Sequence, residues 1–325
     1  MCSFYAIMTT GTIYYDMLNL FLLIVSLFIV IKSADFAIKY AVIFARSLRL
    51  PKYTVGFFIV AIISMLPEMF ISIDSALRGI PSFGLGTLFG SNVADLTLVF
   101  AIVIFSTARP IKVDSKILKN NNWYPFLLAL PILVGSDGYY SRAEGVLLIA
   151  AGLFFYNWTF RKNRHIAPPN EHERFRVLDL AFLIISMGIL LVASNYTVKY
   201  GVAFAESMDI GPAFIGMVVV GLGTTLPELF FSLRAVKHHK DALALGDILG
   251  TVISDATILV GILALIHPFY FPQRIVFVTA TFMVLASLAL LTFMRSGREL
   301  TRREGVFLVL FYLVFVATEL LINKQ

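Results

Sequence analysis

Four carboxylates stand in sequence otherwise suited to lipid: Glu68, Asp95, Glu228 and Asp255. A hydroxyl residue precedes each by four positions, namely Ser64, Ser91, Thr224 and Thr251. That spacing puts hydroxyl and carboxylate on one face of a helix. Ser72 and Ser232 extend the face of Glu68 and Glu228 by one more turn. Glu68 and Glu228 each follow a proline directly, Pro67 and Pro227. Proline has no amide hydrogen, so the carbonyls of Ile63 and Gly223, four residues earlier, lose their helix partners. A buried acid costs roughly 2.5–3.5 kcal/mol at a helix centre, so four of them need a compensating reason. Carboxylate, hydroxyl and freed carbonyl oxygens are all hard donors, the kind Ca²⁺ takes about 6–8 at a time. No His or Cys stands among them, which argues against zinc and copper. The competing reading is a pair of proline kinks whose acids are protonated or paired and serve only helix packing. Their placement in two matching pairs argues for cation binding instead.

The chain that must position these groups has 325 residues, of which 59% are hydrophobic and 14% charged, with a mean hydropathy of +0.86. A soluble domain carries about 25% charged residues. Apolar runs long enough to cross a ~30 Å hydrocarbon layer recur along the chain, and helices satisfy their own backbone groups there. The reading is an all-α polytopic membrane protein of ten transmembrane helices, centred near residues 30, 65, 95, 129, 151, 192, 225, 255, 283 and 312. The first and sixth look longer than the rest. Of the 26 Lys and Arg, 19 fall in the odd-numbered connections and 4 in the even ones and the two ends. Basic residues collect on the cytoplasmic side, which predicts both termini external and the loop 161–176, "RKNRHIAPPNEHERFR", cytoplasmic. The net charge of +6 belongs to those loops and not to a nucleic-acid partner. Residues 1–16 lack the basic start of a cleavable signal. A single cysteine, Cys2, excludes an internal disulfide and a thiolate metal site.

A shift of 160 residues lays one half of the chain on the other without a gap. "KYAVIFARSL" from 39 matches "KYGVAFAESM" from 199, "SMLPE" from 64 matches "TTLPE" from 224, and "GSNVAD" from 90 matches "GTVISD" from 250. The halves are residues 1–160 and 177–325, joined by the linker 161–176, with five spans each. An odd number of spans inverts the second half in the membrane. Inverted repeats are a transporter architecture, with the site at the midplane where broken helices of both halves meet.

These motifs resemble the two alpha repeats of the sodium/calcium exchangers, within the cation/calcium exchanger superfamily. "GTTLPE" followed by "GDILGTVISD" carries the likeness in the second half, and "SMLPE" followed by "GTLFGSNVAD" in the first. The resemblance implies antiport of Ca²⁺ against Na⁺ by alternating access, the long first and sixth helices sliding across the rest. In some branches H⁺ or K⁺ takes the place of Na⁺. Ca²⁺ and Na⁺ are then bound as substrates, with no cofactor and no enzymatic step, in a monomeric functional unit set in a lipid bilayer. By position, Glu68 and Glu228 become the central Ca²⁺ ligands. Ser64 and Thr224 add oxygens, and Ser91, Asp95, Thr251 and Asp255 complete the cation sites. Two departures stand out. Met65 replaces a hydroxyl that Thr225 keeps in the second half, and Asp95 stands where sodium-coupled members often have Asn.

Lesser features have simpler readings. Asp74 pairs with Arg78 at i+4, Asp35 lies between Lys32 and Lys39, and the repeat-equivalent Lys39 and Lys199 snorkel toward a headgroup region. His238 and His239 sit in a solvated loop, and Asp247, with repeat partner Thr87, reads as a helix cap. A cation channel is the first alternative, but channel rings usually need oligomeric symmetry. An intramembrane aspartyl protease is the second, and "ALGD" at Asp247 lacks the first glycine of its motif.

Overall fold

The computed structural model describes residues 2–47, 65–113, 123–162, 177–208, 210–239, 241–273, 275–296 and 299–323. Helix α1 is Cys2–Ser47 and α2 is Leu66–Leu77. Helix α3, Pro81–Ala94, passes through a π turn, Asp95–Val99, into α4, Phe100–Phe105. Strand β1, Ile111–Lys112, precedes α5, Tyr124–Val134. Strand β2, Tyr139–Tyr140, leads into α6, Arg142–Lys162. The second half opens with α7, Val177–Ser207. Helix α8, Pro212–Ile215, a π turn, Gly216–Val220, and α9, Gly221–Thr224, run into α10, Leu226–Lys237. Helix α11, Asp241–Ser254, passes a π turn at Asp255–Leu259 into α12, Val260–Ile266. After β3, Phe269–Tyr270, come a π turn, Ile275–Ala280, then α13, Thr281–Ser296, β4, Glu299–Leu300, and α14, Arg302–Asn323.

Seven helices among the described residues are long and apolar enough to cross a membrane, and Tyr124–Val134 is a shorter apolar one. The two expected long helices are α1, with 46 residues, and α7, with 31. Part of the span centred near 65 and most of the linker lie outside the described residues.

The 160-residue shift is visible in the backbone. It carries α2 onto α10, α3 onto α11, and the π turn at Asp95 onto the one at Asp255. It also carries the start of α6 onto the start of α14, where the same device begins both helices. Ser141 N–H donates to Glu144 at 2.7 Å while Glu144 N–H donates to Ser141 Oγ at 3.3 Å. Thr301 N–H donates to Glu304 at 2.7 Å. Such capping boxes satisfy amides that the first helical turn leaves open. Strand β1 pairs with β4 and β2 with β3, both antiparallel, so each ribbon ties one half to the other.

The apolar interior falls into two clusters. One joins α3, α4, α11, α12, α13 and α14 through residues such as Phe89, Phe100, Leu249, Leu290 and Phe315. The other joins α1 and α7 to each other and to Phe83, Phe214 and Ile215. Helices α1 and α7 pack on one another more extensively than any other described pair. Their hydroxyls are met locally, Ser33 by Ile29 O at 2.8 Å and Ser194 by Leu190 O at 2.7 Å, as a low-dielectric surrounding demands. Asp74 accepts from Arg78 at 2.7 Å, as its spacing implies, and from Asn195 of α7 at 2.9 Å. Arg78 also donates to Asn195 O at 3.1 Å, which clamps α2 to α7. Asp35 lies 3.8 Å from Lys32. The ammonium groups of Lys39 and Lys199 sit over the rings of Tyr40 and Tyr200 at 5.4 and 5.5 Å.

One expectation fails. Asp247 and Thr87 are not caps, because α11 begins at Asp241 and α3 at Pro81, six residues earlier in each case. In α11 the start is held by a polar tie: Arg109, just beyond α4, makes two bonds to Asp241 at 2.6 and 2.7 Å and one to Val236 O at 3.1 Å. Lys112 N–H adds a bond to Asp241 at 2.9 Å. Burial opposes ionisation of Asp241, but the bonds from Arg109 and Lys112 outweigh it and hold its carboxyl below the ordinary range. The bond to Asp241 likewise raises Arg109. A carboxyl with a lowered folded pKa stabilises the fold above its unfolded value of about 3.9 and loses that contribution as the pH falls through the folded value. Asp241→Asn is therefore expected to cost about 2 kcal/mol at neutral pH. The gap to wild type in melting temperature should close below about pH 4. A gap that persists undiminished in acid would assign the loss to packing.

Candidate cation site

Helices α2 and α10, which carry Pro67 and Pro227, each start just after a turn-like residue. Met65 (φ −78°, ψ 2°) precedes α2 and Thr225 (φ −74°, ψ −6°) precedes α10. Pro67 and Pro227 occupy their first turns, where a missing N–H is tolerated. Each helix re-forms at once: Met69 N–H donates to Met65 O at 2.9 Å and Leu229 N–H to Thr225 O at 3.0 Å. Glu68 and Glu228 thus sit in the first turn of a half-helix, where the positive end of its dipole favours negative charge.

The structure brings the two halves together at this point. The Thr224 hydroxyl is within hydrogen-bonding reach of both Gly221 O, at 3.1 Å, and the Glu68 carboxylate of the other repeat. The charge of Glu68 acts on Asp95, Glu228 and Asp255, and that of Asp95 acts on Glu228 and Asp255. All four acids are at most 1% exposed. Glu68 Oε2, Asp95 Oδ1 and both carboxylate oxygens of Glu228 and of Asp255 have no hydrogen-bond partner among the described residues. No Lys, Arg or His is buried among the described residues. Buried charge without neutralising groups is strongly unfavourable, so these four carboxyls do not all stand ionised and unpaired.

The hydroxyls are in place as well. Ser91, Thr224 and Thr251 are fully buried and Thr225 is 2% exposed. Ser91 donates to Leu88 O at 3.0 Å and Thr225 to Leu222 O at 2.9 Å. A hydroxyl that donates to its own helix keeps its lone pairs for a cation. At Gly223, just before Thr225, a side chain would run into Leu27 of α1. Ile63 and Ser64 lie outside the described residues. No three of His, Cys, Asp or Glu among the described residues draw together as a metal cluster. The acids are therefore spread over the crossing instead of gathered at one point.

The crossing depends on glycine. Gly86 and Gly90 of α3 lie against the backbone of Ala213 and Met217, and Gly216 and Gly221 lie against that of Phe83 and Gly90. This backbone-to-backbone approach sets the Ser91 amide against Gly221, at the start of α9. Small residues four apart permit such approach between membrane helices.

Four further polar groups adjoin the site. Tyr124 of α5 is fully buried, its hydroxyl has no partner among the described residues, and it faces the charges of Asp95 and Asp255. Tyr156 of α6 donates to Gly250 O at 2.8 Å and meets Ser254. Ser72 and Ser232 are buried with unpartnered hydroxyls, one turn beyond the glutamates. Repeat symmetry could not reveal the tyrosines, because residues 160 further on are Val284 and Val316.

Comparison with known proteins places the chain in a family. The sodium/calcium exchanger protein family matches residues 18–160 and 178–321. Sodium/calcium exchanger MaX1 of Methanosarcina acetivorans is 26% identical over 342 positions, covering 92% of this chain and 97% of that protein. Inner membrane protein YrbG of Escherichia coli is 28% identical over 262, covering 76% and 79%. Among solved structures, the sodium-calcium exchanger NCX_Mj soaked with Na⁺ and Ca²⁺ superposes with a TM-score of 0.65 at 26% identity, covering 92% of this chain and 98% of that one.

Proposed function

This chain belongs to the sodium/calcium exchanger protein family, and from that premise we propose that it moves Ca²⁺ against Na⁺ by alternating access at the crossing described above. The observation that carries the reading is the meeting of Glu68 from one repeat with Thr224 from the other, among four buried acids with no buried basic residue among the described residues. Glu68 and Glu228 are the central Ca²⁺ ligands, and Thr224 and Ser64 supply hydroxyl oxygens. Ser91 with Asp95, and Thr251 with Asp255, complete the cation positions, and Thr225 and the carbonyls of Ile63 and Gly223 serve the monovalent ions. The same face carries both substrates in turn, so one ion must leave before the other binds, which is what antiport requires.

Helices α1 and α7 are the moving pair. They form their own apolar cluster, which also takes in Leu66 and Ile71 of α2, Phe83, Phe214, Ile215 and Val220, and α7 meets the remainder most extensively at α2. The clamp of Asp74 and Arg78 on Asn195 holds α7 in the conformation seen and must open when it slides. Both termini lie outside and residues 161–176 in the cytoplasm, by the placement of Lys and Arg. A tag at residue 165 that is reached only from outside an intact cell would overturn that orientation.

A second reading concerns only the coupling ion. Asp95 supplies a fourth acid and Met65 removes a hydroxyl, so H⁺ or K⁺ coupling replaces Na⁺ coupling if one monovalent position is lost. ⁴⁵Ca²⁺ uptake into proteoliposomes under an imposed Na⁺, K⁺ or pH gradient, each alone, separates these readings. Uptake driven by the Na⁺ gradient is expected. Saturable uptake driven only by K⁺ or pH would move the assignment, and uptake without any counter-ion would make the protein a channel.

A further inference from the structure

Asp247 was the acid that sequence placed at a helix end, yet its side chain is only 2% exposed within α11. It stands four residues before Thr251 and eight before Asp255, on the same helical face. A rise of 1.5 Å per residue sets it about 12 Å along the axis from Asp255, toward the Asp241 end. Its charge acts on Asp95 and Glu228, which belong to other elements, and on Tyr156. The face that carries it therefore looks onto the central acids and not onto lipid. Two of the groups it faces carry unmet oxygens, Asp95 Oδ1 and both Glu228 oxygens, each buried and without a hydrogen-bond partner among the described residues. Demand for cations thus extends from the centre toward Asp247.

The other half has no such acid. Its equivalent, Thr87, donates to Phe83 O at 3.0 Å and packs where a side chain on Gly216 would touch it. Inversion of the repeats places residues 87 and 247 on opposite sides of the midplane. One side of the path carries a carboxylate and the other a hydroxyl already committed to its own helix.

We propose that Asp247 is a fifth cation-binding carboxylate of the transport path, lying between the central acids and the membrane face that bears Arg109 and Asp241. This rests on the antiport reading above and adds to it a sidedness. A buried acid along a narrow path raises the local cation concentration and speeds capture. Ca²⁺ approaching from the Arg109 face meets Asp247 first, whereas an ion from the other face reaches Glu68 and Glu228 past Thr87. The exchanger is thereby built to take up Ca²⁺ at lower concentration from one face than from the other.

Binding and transport test different parts of this. In detergent, the melting temperature is followed against CaCl₂, with NaCl and MgCl₂ as comparison salts and choline chloride as the ionic-strength control. Asp247→Asn should raise the Ca²⁺ concentration for half-maximal stabilisation about tenfold, equivalent to ~1.4 kcal/mol, and Asp247→Glu should restore much of it. Equal Ca²⁺ responses in wild type and Asp247→Asn would overturn the proposal, whether or not the protein transports. In vesicles of known orientation, Asp247→Asn should raise the half-saturating Ca²⁺ about tenfold from the Arg109 face and leave the other face within about twofold. A loss of equal size from both faces is what a purely structural role gives, and it would also overturn the proposal. A wild type that binds Ca²⁺ at Asp247 but exchanges none would instead overturn the antiport reading and leave the fifth ligand standing.

Discussion

Glu68→Gln and Glu228→Gln are each expected to abolish Ca²⁺ exchange while leaving a folded protein. Glutamine keeps the size of the side chain and removes one charge. At an effective dielectric of about 20, two unit charges 4 Å apart attract by roughly 4 kcal/mol, and a divalent ion doubles the figure. Relief of the carboxylate's own desolvation offsets part of this. Even half of the attraction lowers Ca²⁺ affinity roughly a thousandfold. Folding should survive, because both glutamates carry oxygens without partners among the described residues, and neutralising them removes a penalty instead of a bond. Each variant should therefore melt no lower than wild type without Ca²⁺ and lose most of the rise that Ca²⁺ produces. The measurements are ⁴⁵Ca²⁺ flux in proteoliposomes and melting with and without CaCl₂. Near-normal flux in either variant would remove that residue from the centre. A variant that does not fold would make it a structural acid.

Gly90→Val is expected to have the largest effect on assembly. A Cβ at position 90 would overlap the carbonyl oxygen and Cα of Met217, which are backbone and cannot rotate away. From the opposite strand of the crossing, a Cβ on Gly221 would lie 2.9 Å from Ser91 N, so neither helix can retreat without moving the site. Overpacking typically costs 1–3 kcal/mol where side chains can adjust, and backbone contact raises this to more than about 4 kcal/mol. The variant should fail to give a monodisperse species in detergent. Gly188→Ala supplies the control: its Cβ meets nothing within 4 Å, and alanine in α7 should be neutral or stabilising by up to about 1 kcal/mol. If Gly90→Val purifies and melts like wild type, the close approach of α3 to the Met217 turn is not a feature of the protein in solution.

Much of this molecule was legible in its letters. The membrane class follows from composition, because an apolar chain of this kind cannot dissolve its surface in water. The inverted repeat follows from one constant shift, because two copies of a fold keep their spacing even where their side chains diverge. The shift of 160 that aligned "SMLPE" with "TTLPE" also superposes the ends of α2 and α10, α3 and α11 and their π turns. The hydroxyl-to-acid spacing and the prolines are local relations, fixed by helix geometry whatever the helix touches.

What lay beyond the sequence is every relation between helices. Apolar residues surround Asp247 in α11 just as they surround Asp255, and a helix that is apolar all round does not tell its inner face from its outer one. Only the packing of α11 against the elements carrying Asp95 and Glu228 turned Asp247 inward, and only the start of α11 at Asp241, matched by that of α3 at Pro81, made it an interior residue. Tyr124 and Tyr156 reach the site from α5 and α6, which carry no motif and whose repeat equivalents are valines. The meeting of Glu68 with Thr224, 156 positions apart in the chain, is decided by the glycine-mediated crossing of α3 with the Gly216–Val220 turn. Spacing along a helix is set by covalent geometry, and contact between helices by the shapes of whole surfaces. The sequence by itself therefore determined which oxygens share a face, and the tertiary structure decided which faces meet.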